Sequence, residues 1–110
     1  MHKTSLADLA GQHLAAARTS PAGRSAETVL GGHDAVLRQT LIALAAGQRL
    51  DDHESPGEAT LQVLRGRVRL VAGDDSADAS AGELLVIPDV RHRLEALQDS
   101  AVLLTVAKRI

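Results

Sequence analysis

Residues 47–66 read GQRLDDHESPGEATLQVLRG, and residues 82–92 read GELLVIPDVRH. Both stretches set glycine and proline beside short runs rich in Val, Leu and Ile, and each contains one histidine next to a turn signal, His53 or His92. Short apolar runs bounded by turn residues are typical of β-strands joined by short connections. The two stretches therefore predict strand–turn–strand units with an imidazole beside each turn.

The same rhythm of strands and turns continues through the rest of the chain after Pro21. We predict strands at residues 27–31, 36–44, 49–53, 60–65, 67–72, 76–79, 84–87, 92–97 and 101–107. We expect Gly66 to form a tight hairpin between its two flanking strands, and residues 84–87 to be buried on both faces. Since no helical pattern of adequate length separates the strands, the spacing favours an all-β antiparallel sandwich or barrel over a parallel sheet.

The first residues have a different pattern, which predicts a short N-terminal helix. Ser5 is placed to cap it, and an apolar stripe with His13 follows at helical spacing up to about Arg18. Residues 19–23, TSPAG, form a helix-breaking cluster. We therefore expect a helical arm of residues 1–23 that packs on the body of the domain or on a second subunit, and a β-barrel domain of residues 24–110.

Composition excludes several classes of function. The chain has 110 residues with a net charge of −2, no cysteine and no aromatic residue. This charge gives no field that would attract phosphates, and the chain lacks aromatic platforms for base stacking, so we expect no nucleic-acid partner. No apolar run is long enough to span a bilayer, and no signal sequence opens the chain, so we expect no membrane association and a cytoplasmic location. Without thiols, any chemistry depends on histidines, carboxylates and hydroxyls.

His53 and His92 are the strongest candidates for a site. Each lies at the end of a predicted strand, where an imidazole on the apolar face points inward and needs a hydrogen-bond partner or a metal ion. Neutral imidazole is the commonest metal ligand in proteins. The pattern alone favours the alternative, two unrelated histidines in the core or at its rim that each form a hydrogen bond.

The spacing in these stretches resembles the two conserved motifs of the cupins, G-x5-H-x-H-x3–4-E-x6-G and G-x5-P-x-G-x2-H-x3-N. Gly47, His53 and Gly66 match the first motif. Gly82 and Pro88 match the second, while His92 falls one residue short of the histidine spacing. The resemblance implies a small single-domain cupin of the cupin 2 conserved barrel kind. Its expected fold is all-β, a cupin-type antiparallel β-barrel (double-stranded β-helix or jelly roll) with a short N-terminal helix.

The resemblance also implies a depleted metal site. In cupins, two histidines and a glutamate of the first motif and one histidine of the second usually bind a divalent metal. His53 and His92 match two of these ligands, but Ser55 stands at the second histidine position and Ala59 at the glutamate position, with Glu58 one residue away. We therefore expect either no cofactor or a divalent metal ion (Zn, Fe, Mn or Ni) held weakly by His53, His92 and Glu58.

Three functions follow as expectations from the resemblance and the depleted motif. The first is a protein that binds a small molecule inside its barrel through His53, Gln62 and His92. The alternatives are a metal-dependent oxygenase or isomerase and an inert dimerisation module. The resemblance implies a homodimer in each case. The sequence leaves open the identity of the ligand and whether the protein is an enzyme.

One charged feature has two interpretations. Arg65, Arg67 and Arg69 alternate along the predicted hairpin at Gly66, so we expect them to share one face. Such a face is either an anion-binding patch or a solvated outer surface opposite Val68 and Leu70.

Overall fold

The computed structural model describes residues 1–54 and 57–108. These residues form one helix and nine strands in two antiparallel sheets. The elements are α1 (Leu6–Thr19), β1 (Arg24–Leu30), β2 (Leu37–Leu44), β3 (Arg49–His53), β4 (Gly57–Arg65), β5 (Arg67–Ala72), β6 (Asp75–Ser80), β7 (Leu84–Val86), β8 (His92–Ala96) and β9 (Ser100–Lys108). One sheet has the strand order β1-β2-β9-β4-β7, and the other has the order β3-β8-β5-β6. The predicted all-β antiparallel fold with an N-terminal helix is confirmed.

Helix α1 packs on the protein's own five-stranded sheet. Its first turn is capped by Ser5, whose hydroxyl oxygen accepts a hydrogen bond from the backbone N–H of Asp8 at 3.2 Å. Ala10, Leu14 and Ala17 are buried and belong to one cluster with apolar side chains of β2 and β9. Of the two surfaces that the sequence left open for this helix, the structure shows the domain's own sheet. In the described part of the chain, no helix has the length and apolar character needed to cross a membrane.

The core lies between the two sheets and is aliphatic. Its buried members are Ile42, Leu44, Ala59, Leu61, Val63, Val68, Leu70, Ala79, Ile87, Leu94, Ala96, Val102 and Val106. Successive side chains of a strand point to opposite faces of the sheet, so inward positions alternate along β4. The odd-numbered residues of β4 from 59 to 63 enter this core, whereas the even-numbered residues 58 and 62 are exposed.

Gly66 does not form the predicted hairpin. β4 pairs with β7 and β9 in one sheet, while β5 pairs with β6 and β8 in the other, so the chain crosses between sheets at this residue. The backbone of Gly66 has a φ of +83°, which L-residues rarely adopt. The prediction was wrong because a glycine between two apolar runs indicates a sharp turn but not the sheet to which each run belongs.

Residues 84–87 are not buried on both faces as predicted. β7 ends the five-stranded sheet, where Leu84 and Val86 are 59% and 75% exposed. Only the alternate residues Leu85 and Ile87 pack into the core. A continuous apolar run is compatible with an edge strand as well as with a central strand. The run alone does not indicate whether another part of the protein packs on the outer face of the strand.

Arg65, Arg67 and Arg69 do not share a face. The guanidinium group of Arg65 lies near Gly11 of α1, on the side of the five-stranded sheet. Arg67 and Arg69 lie in the other sheet, and both form ion pairs with Asp78, at 3.2 and 2.7 Å. The hydrogen bond from Arg69 lowers the pKa of Asp78. Because Asp78 pairs with both Arg67 and Arg69, these two residues fit a solvated outer surface better than an anion-binding patch.

Candidate functional site

The structure brings the two predicted histidines together. His53 ends β3, His92 begins β8, and the two residues are direct partners in the antiparallel pairing of these strands. Their ring centroids are 4.4 Å apart and their planes meet at 65°, an edge-to-face contact. Each strand end thus supplies one imidazole to the same end of the four-stranded sheet.

Hydrogen bonds to the backbone fix the orientation of both rings. The Nδ1 atom of His53 lies 2.9 Å from the carbonyl oxygen of Asp51, and that of His92 lies 2.8 Å from the carbonyl oxygen of Val90. A carbonyl oxygen only accepts, so each Nδ1 carries the proton and donates it. The Nε2 atom of each ring is therefore the nitrogen that can meet a ligand.

Both rings line a small cavity inside the barrel, with a volume of about 50 Å³. The other lining residues are Ile42, Leu50, Leu61, Leu70, Ile87, Leu94 and Leu104. A water molecule needs about 15 Å³ of cavity volume, so this cavity has room for about three waters. His92 is buried and His53 is exposed, so the cavity meets solvent on the side of His53. The arrangement is a mainly apolar pocket with two polar groups at one end.

Ion pairs connect the residues that lie next to the two histidines. Arg91 lies 3.8 Å from the carboxylate of Asp52 and 3.6 Å from that of Glu54. Its guanidinium group also donates to the carbonyl oxygen of Asp52 at 3.4 Å. Exposed ion pairs of this kind contribute little to the free energy of folding individually. Their position does keep the end of β3 next to the start of β8, where the two rings meet.

Gln62 and Glu58 do not lie in this cavity, so their predicted placement there was wrong. Both are exposed residues of β4 and alternate with Ala59 and Leu61, which face the core. A strand places neighbouring residues on opposite faces, so Gln62 and Glu58 point away from the histidine pair. Glu58 instead borders a depression on the outside, together with Thr60 and Val86. Ser55, at the motif's second histidine position, lies outside the described residues.

The donor set of the described residues does not fit a resident divalent metal ion. Among residues 1–54 and 57–108, no group of three or more histidine, cysteine, aspartate or glutamate side chains could hold a metal ion. Two neutral imidazoles leave a divalent cation without a compensating charge in an aliphatic cavity. The geometry of His53 and His92 instead offers two hydrogen-bonding nitrogens to a small molecule.

The sequence favours a barrel lined by aliphatic residues, but it does not identify the individual residues that form the walls of this cavity. Ile42 and Leu104 come from β2 and β9 of the opposite sheet, far along the chain from both histidines. Both lie in continuous apolar runs, which predicts that they are buried but not that they border the imidazoles. That juxtaposition depends on how the two sheets are stacked.

Comparisons with known proteins support the fold. No family model matches the chain, and no curated protein matches it. A conserved protein of unknown function from Streptococcus pyogenes is similar in structure, with a TM-score of 0.73, 26% identity and coverage of 83% of this chain and 79% of that chain. A salicylate 1,2-dioxygenase from Pseudaminobacter salicylatoxidans has a TM-score of 0.75 and 17% identity, with 91% of this chain and 33% of that chain covered. This second likeness concerns the fold alone.

An RmlC-like cupin protein from Desulfovibrio desulfuricans is more similar in sequence. It has 31% identity and a TM-score of 0.66, and the match covers 76% of this chain and 81% of that protein. The chain therefore belongs to the cupin superfamily.

Proposed function

We propose that this cupin binds a small, mainly aliphatic molecule with one polar group in the cavity beside His53 and His92. The observation that carries the proposal is the convergence of two oriented imidazoles on a cavity with seven aliphatic walls. Concave apolar sites with a few convergent polar groups are the usual binding sites for small molecules. The walls provide affinity for hydrocarbon, and the ring nitrogens select the polar end.

The hydrogen-bond pattern of the rings suggests the chemistry of that polar end. A neutral ring whose Nδ1 proton goes to the backbone presents Nε2 as an acceptor. The complementary ligand carries a donor, so we expect an aliphatic alcohol or amine to bind better than a carboxylate of the same length.

The two alternative functions have less support. A metal-dependent oxygenase or isomerase needs a more complete ligand set than His53 and His92 supply within the described residues. An inert dimerisation module needs no polar pair beside an internal cavity. The cavity and the oriented rings support small-molecule binding over both.

A homodimer remains our expectation for the assembly. Its structural support is the edge strand β7, where Leu84 and Val86 are exposed on the outer face. Exposed apolar side chains on a sheet edge favour pairing with another surface. Helix α1 gives no such support, because it already packs on its own sheet.

The test follows the histidine ring signals by ¹H–¹⁵N NMR as ethanol, ethylamine or acetate is added as a probe. We expect the alcohol or the amine to shift the Nε2 signals of His53 and His92 in the wild type. The variants His53→Ala and His92→Ala should each lose this binding. His33→Ala is the matched control, since His33 lies exposed in the connection between β1 and β2 and should leave binding unchanged.

Two results would contradict the proposal. Equal binding by the wild type and both alanine variants would mean that the rings do not contact the ligand. A rise in melting temperature with Zn²⁺, Mn²⁺ or Ni²⁺ that both alanine variants abolish, without any response to the organic probes, would favour the metal-dependent alternative. Element analysis of the purified protein complements this second measurement.

A further inference from the structure

A second group of reactive side chains lies between α1 and β1, outside the barrel cavity. The Nδ1 atom of His13 is 2.7 Å from the hydroxyl oxygen of Ser25, and its Nε2 atom is 2.9 Å from a carboxylate oxygen of Glu27. The side chain of His13 is only 14% exposed, whereas that of Glu27 is 50% exposed. Serine, histidine and glutamate thus form a continuous hydrogen-bonded chain from a half-buried hydroxyl to a surface carboxylate.

The polarity of this chain follows from the chemistry of its two ends. An ionised carboxylate only accepts hydrogen bonds, so the Nε2 atom of His13 carries the proton and donates it to Glu27. In the neutral ring, Nδ1 then holds a lone pair and accepts from the hydroxyl of Ser25. A hydroxyl that donates to a histidine, which in turn donates to a carboxylate, is the arrangement that activates a serine nucleophile.

We propose that Ser25 is a nucleophile for acyl transfer from small carboxylic esters, with His13 as its general base and Glu27 as the residue that orients the imidazole. The order of contacts carries the proposal, and it matches the roles that such a reaction needs. In the usual serine triad, Nε2 faces the serine and Nδ1 faces the carboxylate. The two nitrogens are reversed in this protein, and the proton still moves from the serine to the histidine.

The backbone of β1 adds a donor for the oxyanion. The N–H of Ala45 donates to the carbonyl of Gly23 at 2.9 Å, which sets the alternation of the antiparallel pairing that follows. In an antiparallel pair, alternate residues direct their N–H and C=O groups toward the neighbouring strand. The N–H and C=O of Ser25 therefore face β2, whereas the N–H of Ala26 faces the open edge of the sheet. β1 is the edge strand, so an ester that approaches from this edge meets the hydroxyl of Ser25 and the N–H of the next residue together.

The chemical step balances without a cofactor. The oxygen of Ser25 attacks the ester carbonyl carbon while its proton moves to Nδ1 of His13, and the oxyanion forms beside Ala26. The bond to the leaving alcohol then breaks, and the alcohol takes the proton from His13. Water, deprotonated by the same ring, hydrolyses the acyl-serine ester and restores the hydroxyl.

The same three side chains also connect α1 to β1, so a purely structural role is the outcome to distinguish. A structural clamp predicts that changes at these residues lower only the melting temperature. A nucleophile predicts a covalent acyl group on Ser25. This difference can be measured directly, independently of the cavity at His53 and His92.

The experiment treats the full chain with p-nitrophenyl acetate, follows the release of p-nitrophenolate, and locates the acetyl group by mass spectrometry. Trypsin cleaves after Arg24 and Arg38, so the peptide of residues 25–38 contains Ser25 and its fragmentation identifies the modified residue. We expect an acetyl group on Ser25 in the wild type and none in Ser25→Ala. Glu27→Gln should reduce the acetylation rate by about a hundredfold, the scale of an impaired general base. Ser76→Ala, an exposed serine of β6, is the matched control and should keep the wild-type rate.

Melting curves show whether each variant is folded. Ser25→Ala removes a single oxygen atom, so it keeps the experiment decisive even if Glu27→Gln does not fold. The proposal is overturned if the wild type carries no acetyl group on Ser25, if Ser25→Ala releases p-nitrophenolate at an undiminished rate, or if folded Glu27→Gln reacts as fast as the wild type. Each of these results leaves His13, Ser25 and Glu27 as a structural clamp.

Discussion

Replacing Gly66 with alanine should be among the most destabilising single changes in this domain. Gly66 joins β4 to β5 where the chain passes from one sheet to the other, with a φ of +83°. An added Cβ atom would overlap the carbonyl oxygen of Asp99 and the hydroxyl oxygen of Ser100, and would lie 2.9 Å from the Cα atom of Ser100. Two of these three atoms belong to the backbone, so they cannot move aside by a change of rotamer.

The expected cost has two parts. A non-glycine residue in the left-handed region costs about 1–2 kcal/mol, and displacing packed backbone costs about 1–3 kcal/mol. The sum, about 2–5 kcal/mol, is a large share of the 5–15 kcal/mol or so that stabilises a typical domain. At about 4–8 °C per kcal/mol for a domain of this size, we expect the melting temperature to fall by roughly 8–40 °C.

Two further glycines separate the contributions. Gly82 has a φ of +90° with open space around its Cα, so Gly82→Ala should show the cost of the dihedral angle alone, about 1–2 kcal/mol. Gly32 has neither a positive φ nor a close neighbour, so Gly32→Ala should be neutral or stabilise the fold by up to about 1 kcal/mol. Urea denaturation followed by far-ultraviolet circular dichroism suits all three, because the chain has no tryptophan. If Gly66→Ala costs no more than Gly82→Ala, the close approach of Asp99 and Ser100 is not a constraint on the fold.

Three further predictions concern pH, a buried hydroxyl and assembly. The backbone N–H of Ala46 and, to a smaller extent, the guanidinium of Arg18 lower the pKa of Asp99 below its ordinary value of 3.8. The ionised Asp99 therefore stabilises the fold above pH 3.8, and this contribution is lost as the pH falls through the lowered pKa. The gap in melting temperature between the wild type and Asp99→Asn should therefore be constant near neutral pH and close in acid; a gap that persists in acid would contradict this. Ser100 is buried and bridges the backbone of β5, so Ser100→Ala should lower the free energy of unfolding by about 1–3 kcal/mol in urea, and a change below about 0.5 kcal/mol would contradict that role. If β7 is the dimer interface, Val86→Lys should reduce the light-scattering mass from twice 11.5 kDa to 11.5 kDa, whereas an unchanged dimer would place the interface elsewhere.

Much of the fold could be predicted from local features of the sequence. The end of α1 follows from its breaker cluster and its start from Ser5, whose side chain does cap the helix. The strands follow from apolar runs and turn residues, since both features act over a few neighbouring residues. The spacing of the two histidine stretches added the family and thus the kind of barrel. These signals are local, and the structure agrees with them.

Predictions that depended on distant parts of the chain succeeded less often. Gly66 is a crossing between sheets rather than a hairpin, and the turn signal is the same in both cases. Gln62 and Glu58 were placed in the cavity, but their orientation depends on the phase of β4, which a one-residue difference reverses. The helical spacing places His13 on an apolar stripe but does not indicate its partners Ser25 and Glu27, which come from another element. Sequence spacing within a helix carries no information about which strand lies beneath it.

The aliphatic core between the sheets has a practical consequence for spectroscopy. Each buried side chain of that core ends in one or more methyl groups, so methyl NMR signals report on every buried residue of the core. The absence of tryptophan and tyrosine also makes the chain nearly transparent in the near ultraviolet. An aromatic or chromophoric compound bound anywhere on the protein would therefore be seen against almost no background from the protein itself. Its absorbance and induced circular dichroism would record occupancy directly, without any label.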